Sequence, residues 1–257
     1  MTSSTSNYKL HCVDRSMNRI VIYTAIFGSY DGLIPQKKFP GVDFVCFTDQ
    51  NFKSKSWKVI KCKRKFSDDN RNAKEYKILP HRFLQDYHTS IWIDGNLMVM
   101  HNPMELLESL DRSPLVLFRH YRNCIYEELN AILKAGEKNG VYKDDPLVMQ
   151  TQIDRYRKEG FPANYGLSTN SVLIRKHHDP SVIRIMEAWW NEIQLGSRRD
   201  QLSLYYILWK TGFKPEVLQQ DVRNCKWIYN LGAHRKNFAW KYFRFNVKEM
   251  FGLNRER

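Results

Sequence analysis

Ser90-Ile91-Trp92-Ile93-Asp94-Gly95-Asn96 is an apolar run that ends abruptly in a carboxylate, a glycine and an amide. A short apolar run bounded by turn residues reads as a buried strand. The same pattern recurs upstream in Ile20 to Phe27 (IVIYTAIF, stopped by Gly28), Asp43 to Thr48 (DFVCFT) and Trp57 to Cys62 (WKVIKC). Downstream it recurs in Leu97 to Met100, which continues the Ser90 strand after a break, in Pro114 to Arg119, and in Ser171 to Arg175. Helical patterns lie between them. Asn70 to Tyr87 is helical in character, with a kink or a fresh start at Pro80. Pro103 to Leu110 is a short helix opened by proline. Residues 125–159 carry two helical patterns separated by Gly140 and the Asp144-Asp145-Pro146 turn. Pro180 to Leu195 places Ile183, Met186, Trp190 and Ile193 on one stripe, and Gln201 to Lys210 is closed by Gly212. Alternating strands and helices predict an α/β protein: one domain whose mostly parallel central sheet carries helices on both faces.

Composition narrows the class. The chain has 257 residues, 42% hydrophobic and 14% aromatic, which excludes intrinsic disorder. No internal repeat or linker divides it, so a single domain is expected over 19–234, after a flexible polar leader (1–18) and before a basic aromatic tail (235–257). The five cysteines form no CxxC, which argues against a disulfide framework or a zinc ribbon. Neither a signal-peptide core nor a long apolar span is visible, so a cytoplasmic location is expected. Lys and Arg number 41 against 27 Asp and Glu, a formal charge of +14, which favours anionic partners or simply a solvated basic surface.

The strand end at Asp94 is the most informative candidate site. In open α/β sheets ligands bind beyond the carboxyl ends of strands. Asp94 and Asn96, two apart, can reach one ion, and Gly95 leaves room for a phosphate or sugar. Oxygen ligands suit Mg²⁺ or Mn²⁺. A plain Asp-Gly-Asn turn explains the same residues. Arg71 and Lys74 share a helical face that Lys77 extends, suited to a pyrophosphate or to solvent. Asp49 ends the second strand and could accept from a base or ribose, or open a turn. Ser168, Thr169 and Asn170 precede a strand and could wall a sugar pocket or be ordinary loop residues. Ser197 and Asp200 have capping-box spacing before LSLYYILW; if Asp200 instead faces the cleft it is a candidate general base. His234, in a glycine-containing loop, could supply an imidazole to the ion or be structural. No GxGxxG, Walker A, HExxH or GxSxG pattern occurs.

Taken together, YTAIFGSYD (Tyr23 to Asp31), FTD (Phe47 to Asp49), RNAKEYKILPH (Arg71 to His81), WIDGN (Trp92 to Asn96), GLSTNSVLIR (Gly166 to Arg175) and RRDQLSL (Arg198 to Leu204) resemble a glycosyltransferase-like family of plants, bacteria and large viruses. Their order also resembles the wider GT-A, Rossmann-like fold of nucleotide-diphospho-sugar transferases. The resemblance implies that WIDGN stands where such enzymes carry Asp-x-Asp. Asp94, Asn96 and His234 would then hold Mn²⁺ or Mg²⁺, with Asn96 departing from the pattern in bringing no charge. It further implies that Thr24, Ala25, Ile26 and Phe27 line the nucleotide pocket, with Asp49 near the base, Arg71 and Lys74 on ribose or phosphates, and Gly95 beside the donor. Asp200, followed by Gln201, resembles the acidic position near the anomeric carbon; it would be the base in an inverting enzyme or a positioning group in a retaining one. Ser168, Thr169, Asn170 and Gln201 would serve the sugar or acceptor.

The implied function is transfer of a sugar from a nucleotide-diphosphate donor, expected to be a UDP-sugar, to a hydroxyl of a glycan or other acceptor. Two alternatives stay open: a non-catalytic binder of nucleic acid or membrane on a degenerate transferase fold, and a hydrolase using the same cleft. Nucleic acid is the less expected partner. The tail places Trp240, Phe243, Val247, Met250 and Phe251 at near-helical spacing among seven Lys or Arg between Arg235 and Arg257. That pattern suits a docked C-terminal helix, peripheral contact with an anionic membrane, or an oligomer contact.

Overall fold

In the computed structural model, residues 19–28, 31–232 and 238–252 are described. The leader at 1–18 and His234 lie outside them. Nine strands and eight helices are present among these residues: β1 (Ile20–Ile26), β2 (Val42–Thr48), β3 (Lys58–Lys61), α1 (Asp69–Ile78), α2 (Pro80–Phe83), β4 (Thr89–Ile93), β5 (Leu97–Val99), α3 (Met104–Leu107), β6 (Leu115–Arg119), α4 (Ile125–Asn139), α5 (Pro146–Lys158), β7 (Ser168–Arg175), α6 (Pro180–Leu195), α7 (Leu204–Thr211), β8 (Glu216–Leu218), β9 (Ile228–Asn230) and α8 (Phe238–Met250).

Seven strands form one sheet in the order β3-β2-β1-β4-β7-β6-β8. β1 pairs parallel with both β2 and β4, β2 with β3, and β6 with β8. β7 runs antiparallel to β4 and to β6, so the sheet is mostly parallel, as expected, with one reversed strand. Alternate residues of each strand feed two cores. Val21 and Tyr23 join Leu117 and Leu173 under α1, α4, α5, α6 and α7. Ile20 and Ile22 join Ile91, Val116 and Ile174 on the opposite face, where α3 and neighbouring loop residues supply the cover. Helices therefore lie on both faces, but unevenly.

Local chemistry fixes the boundaries. Asp68, Asp145 and Asp179 each accept a backbone N–H at a helix start, and the last two are followed by Pro146 and Pro180 at the first helical position. Gly140 and Gly212 end α4 and α7 in the left-handed conformation. Pro80 gives a fresh start rather than a kink. Leu79 before it sits at φ −113°, ψ 51°, outside the helix, and α2 ends at Phe83, short of the Tyr87 expected.

Three expectations are corrected. β5 does not continue the β4 strand of the central sheet; it pairs antiparallel with β9 in a separate two-stranded sheet. The turn at Asp94 redirects the chain, with Leu97 N–H donating to Asp94 O at 3.0 Å. α7 begins at Leu204, not Gln201, because Asp200–Leu202 form a tighter 3₁₀ turn. β7 begins three residues earlier than expected, so Ser168, Thr169 and Asn170 lie in the strand rather than in a loop.

Candidate active site

A cleft of about 820 Å³ opens at the carboxyl ends of β1 and β4 and the start of β7. Its walls include Ala25, Ile26 and Phe27 from β1 and the loop after it; Asp94, Gly95 and Asn96 from the turn after β4; Lys74 from α1; and Thr169, Asn170, Asp200 and Gln201. These are eleven of the residues singled out from sequence, drawn from five separate segments.

Three others lie near the cleft without lining it. Thr24 is buried within β1. Asp49 accepts from Gly28 N–H at 3.0 Å and from Gln50 Nε2 at 2.7 Å, so it shapes the loop after β1. Ser168 donates to Asn170 Oδ1 at 2.6 Å and orients that amide. Arg71 departs from expectation. Its guanidinium donates to Gly196 O at 2.8 Å, tying α1 to the end of α6, which packs beside it.

The polar centre of the cleft is a set of paired charges. Lys77 Nζ is 2.7 Å from Asp200 Oδ2 and 3.3 Å from Asp94 Oδ1; Lys74 Nζ is 3.0 Å from Asp200 Oδ2. Lys77 and Asp200 are buried, whereas the Asp94 side chain is 41% exposed. Burial alone would push the Asp200 carboxyl up, but Lys74, Lys77 and Arg199 outweigh it and hold it well below the usual carboxylate range. Burial also lowers the Lys74 ammonium; Asp200 offsets this only in part, and the like charge of Lys77 adds to it. Lys77, set between two carboxylates, is raised despite its burial.

The backbone carbonyl of Lys77 is anchored from below. Tyr23 Oη donates to it at 2.9 Å and Arg175 Nη2 at 2.8 Å, from a guanidinium with no exposed surface. Removing an ionised buried group from such a set leaves its partner uncompensated, so Tyr23, Arg175, Lys77 and Asp200 form one structural unit across β1, α1, β7 and the turn before α7.

The turn reading of the Asp94 segment holds. The residues form a turn, and the turn delivers the carboxylate to the cleft, where Trp92 Nε1 donates to Asp94 Oδ1 at 2.8 Å. The capping-box reading of Asp200 does not hold. Ser197 Oγ donates to Asp144 Oδ2 at 2.6 Å instead, and Asp200 turns to the two lysines.

Sequence reasoning passed over Asp31. A Cβ placed on Gly95 would stand 3.3 Å from Asp31 Oδ2 and 3.3 Å from Ile26 Cδ1, so Gly95 lets this carboxylate approach the Asp94 turn. Lys77, Lys143, Arg198 and Arg199 also line the cleft. Lys77 extends the Lys74 face into the cleft, as its i, i+3 spacing predicts; Lys143 and Asp31 carry no local signal. Asn170 Nδ2 is buried with no hydrogen-bond partner, an open donor on the cleft wall.

Among the described residues, no group of three or more His, Cys, Asp or Glu is placed to hold a metal ion. Mg²⁺, however, commonly takes one or two carboxylates and completes its shell with water and substrate phosphate. Asp94, Asn96 and Asp31 bring oxygen-bearing side chains of that kind to one end of the cleft.

A sequence profile of the TOD1/MUCI70 glycosyltransferase-like domain matches residues 42–231. The chain belongs to this family. The TOD1/MUCI70 match takes in every cleft segment except the end of β1 and the Asp31 loop. A relative described as the probable hexosyltransferase MUCI70 of Arabidopsis thaliana is 25% identical over 268 residues, covering 92% of this chain and 44% of that protein. The chain thus spans less than half the length of that curated TOD1/MUCI70 relative. The crystal structure of mouse xyloside xylosyltransferase 1 in its apo form superposes with a TM-score of 0.43 at 12% identity, covering 79% of this chain and 85% of that one.

Proposed function

We propose that the protein transfers a sugar from a nucleotide-diphosphate donor, a UDP-sugar, to a hydroxyl of a glycan acceptor. The observation that carries this reading is the convergence, in one cleft at the strand ends, of a half-exposed carboxylate turn, two ammonium groups and an unpartnered amide. The ammonium pair suits a diphosphate that becomes more negative as the glycosidic bond breaks. The Asn170 amide suits a sugar hydroxyl, since a buried donor without a partner is stabilised by an acceptor that reaches it.

In this reading Asp94 and Asn96 hold a divalent cation together with the diphosphate, and Asp31 contributes charge behind them. Such a cation would supply Lewis-acid neutralisation of the departing nucleoside diphosphate. Lys74 and Lys77 face the same charge, and Asp200 keeps them in place. A carboxylate held far below its usual range is a poor proton acceptor near neutral pH. Asp200 is therefore assigned to positioning and to stabilising positive charge at the anomeric carbon rather than to general-base work. Gln201, whose Nε2 donates to Ser168 O at 3.4 Å, and Thr169 border the sugar side.

Thermal shift with UDP, GDP and their sugars, with and without Mn²⁺, tests the assignment. A ligand at about 100 times its Kd stabilises by about 2.7 kcal/mol. A UDP-selective shift that grows with Mn²⁺ and shrinks in Asp94→Ala is expected. No shift with any nucleotide would overturn the donor assignment, and sugar release without acceptor at a rate rivalling transfer would convert the reading to a hydrolase.

A further inference from the structure

The last described helix has two apolar faces and a single place to bury one of them. On the inner face Phe238, Tyr242 and Phe245 pack with Ile34, Met98, Leu231 and Tyr229. The Tyr229 and Phe245 ring centroids are 4.7 Å apart. On the outer side Trp240 is 62% exposed, Phe243 57%, Met250 78% and, just past the helix end, Phe251 71%. At 3.6 residues per turn, Trp240, Phe243 and Met250 stand roughly 140–160° around the helix from Phe245. Trp240 and Phe243 stack on each other at 6.0 Å between centroids.

Such a cluster is unusual on a water-facing helix. Its flank gives the reason. Lys241, Arg244 and Lys248 lie on one flank between the two faces: Arg244 stands about 100° around the helix from Phe245, Lys248 about 60° and Lys241 about 40°, and with Tyr229 and Leu231 they line a small cavity there. Lys241 is anchored by its ammonium to Gly232 O, while Arg244 and Lys248 are exposed. Glu249 is the single acidic residue from 238 to 252; it is exposed, at an angular position between Phe238 and Tyr242, away from Trp240 and Phe243. An outer apolar face that includes Trp and Phe, on a net basic helix with exposed Arg244 and Lys248 on one flank, suits a helix lying flat in an anionic headgroup layer. No described helix is long and apolar enough to cross a membrane.

We propose that the outer face of α8 docks the protein on an anionic phospholipid surface, with Trp240, Phe243, Met250 and Phe251 inserted and Arg244 and Lys248 paired with lipid headgroups. The docking has a consequence for the cleft. A Cβ placed on Gly32 would stand 3.0 Å from the Phe238 ring, and Gly32 follows Asp31, which lines the cleft. The start of α8 thus packs against the loop that shapes the Asp94 end of the cleft. The surface brings a lipid-linked or membrane-bound acceptor near that end. The docking itself does not rest on the transferase reading.

Co-sedimentation of the full chain with phosphatidylcholine vesicles, with and without phosphatidylserine, tests it. Binding is expected with phosphatidylserine only and should weaken as salt rises. The double variant Trp240→Ser/Phe243→Ser should lose at least about tenfold in affinity with an unchanged melting temperature, because both side chains are exposed. Arg244→Glu/Lys248→Glu should lose the phosphatidylserine dependence. No binding to phosphatidylserine vesicles overturns the proposal, as does wild-type affinity in the Trp240/Phe243 variant. A dimer in solution that the same variant dissolves also overturns it, and assigns the face to a second copy of the chain.

Discussion

The ammonium of Lys77 lies 2.7 Å from the carboxylate of Asp200, and both side chains are almost wholly buried. The contact joins α1 to the turn before α7 across the floor of the cleft. Removing one member of a buried pair costs about 3–5 kcal/mol, because the other is left uncompensated. Lys77→Met is expected to lower stability by that order and to abolish transfer. Urea denaturation together with a transfer assay checks it; a variant with wild-type stability would show that Asp200 has no need of this partner.

Asp200 also makes a prediction about pH. Its folded value is depressed, so the stability it contributes is fully present above its unfolded value near 4 and is lost as pH falls through the folded value. Between about pH 5 and 8 it stays ionised, and an acid limb of kcat/KM in that window would have to come from another group. On the alkaline side, the lowered Lys74 is the first ammonium of the set to give up its proton. Activity should therefore fall at high pH before an ordinary lysine would titrate. A pH–rate profile of the wild type and of Lys74→Arg, whose charge persists, reads both limbs.

Asp94→Asn keeps the turn and removes the charge. With the side chain 41% exposed, the fold should tolerate it with little change in melting temperature. Transfer should fall by about 10²–10³-fold, the range for losing one preorganised charge-stabilising group. A split in which melting collapses but the surviving protein turns over normally would assign Asp94 to structure alone.

Asn170→Ala removes the unpartnered amide donor on the cleft wall. If the amide meets a sugar hydroxyl, KM for the nucleotide sugar rises while affinity for the free nucleotide stays constant. Loss of a net hydrogen bond of about 0.5–1.5 kcal/mol corresponds to roughly 2- to 13-fold. Isothermal titration with the nucleotide and with its sugar separates the two.

Acid stability should be governed partly by His177. Its imidazole is wholly buried, and burial pushes it down to about 3, against the help of its hydrogen bond to Leu84 O at 3.1 Å. The folded state keeps it neutral while the unfolded chain protonates it near pH 6.5. The unfolded state then binds more protons, so stability falls as pH drops from about 6.5 toward 3. His177→Gln should flatten that part of the stability curve, as denaturant midpoints across the range would show.

Much of this architecture was legible because its signals are local. IVIYTAIF, DFVCFT and SIWID are short, β-branched or aromatic, and closed by turn residues, and each became a strand of the central sheet. Pro180 announced a helix start, and Gly140 and Gly212 helix ends, through backbone preferences that need no distant partner; the Asp144-Asp145-Pro146 turn proved to open α5 at Pro146. The Asp94-Gly95-Asn96 segment could be placed at a strand end for the same reason.

Facing and pairing were decided only by the fold. Asp200 carried capping-box spacing, yet two ammonium groups from α1 draw its carboxylate into the cleft, a stronger interaction in a buried setting than a backbone N–H offers. Arg71 and Lys74 share a helix face in sequence, but the packing of α6 beside α1 takes the guanidinium away to Gly196. Asp31 lies 63 residues before Asp94 in the numbering, and only the close approach permitted by Gly95 brings its carboxylate to the same turn. The sequence by itself determined most of the segments that become strands and helices, though not the short β8 and β9, and which strand end bears the carboxylate, because those depend on neighbours a few residues away. The tertiary structure alone decided which charges meet, because buried pairs are set by long-range packing that no local spacing encodes.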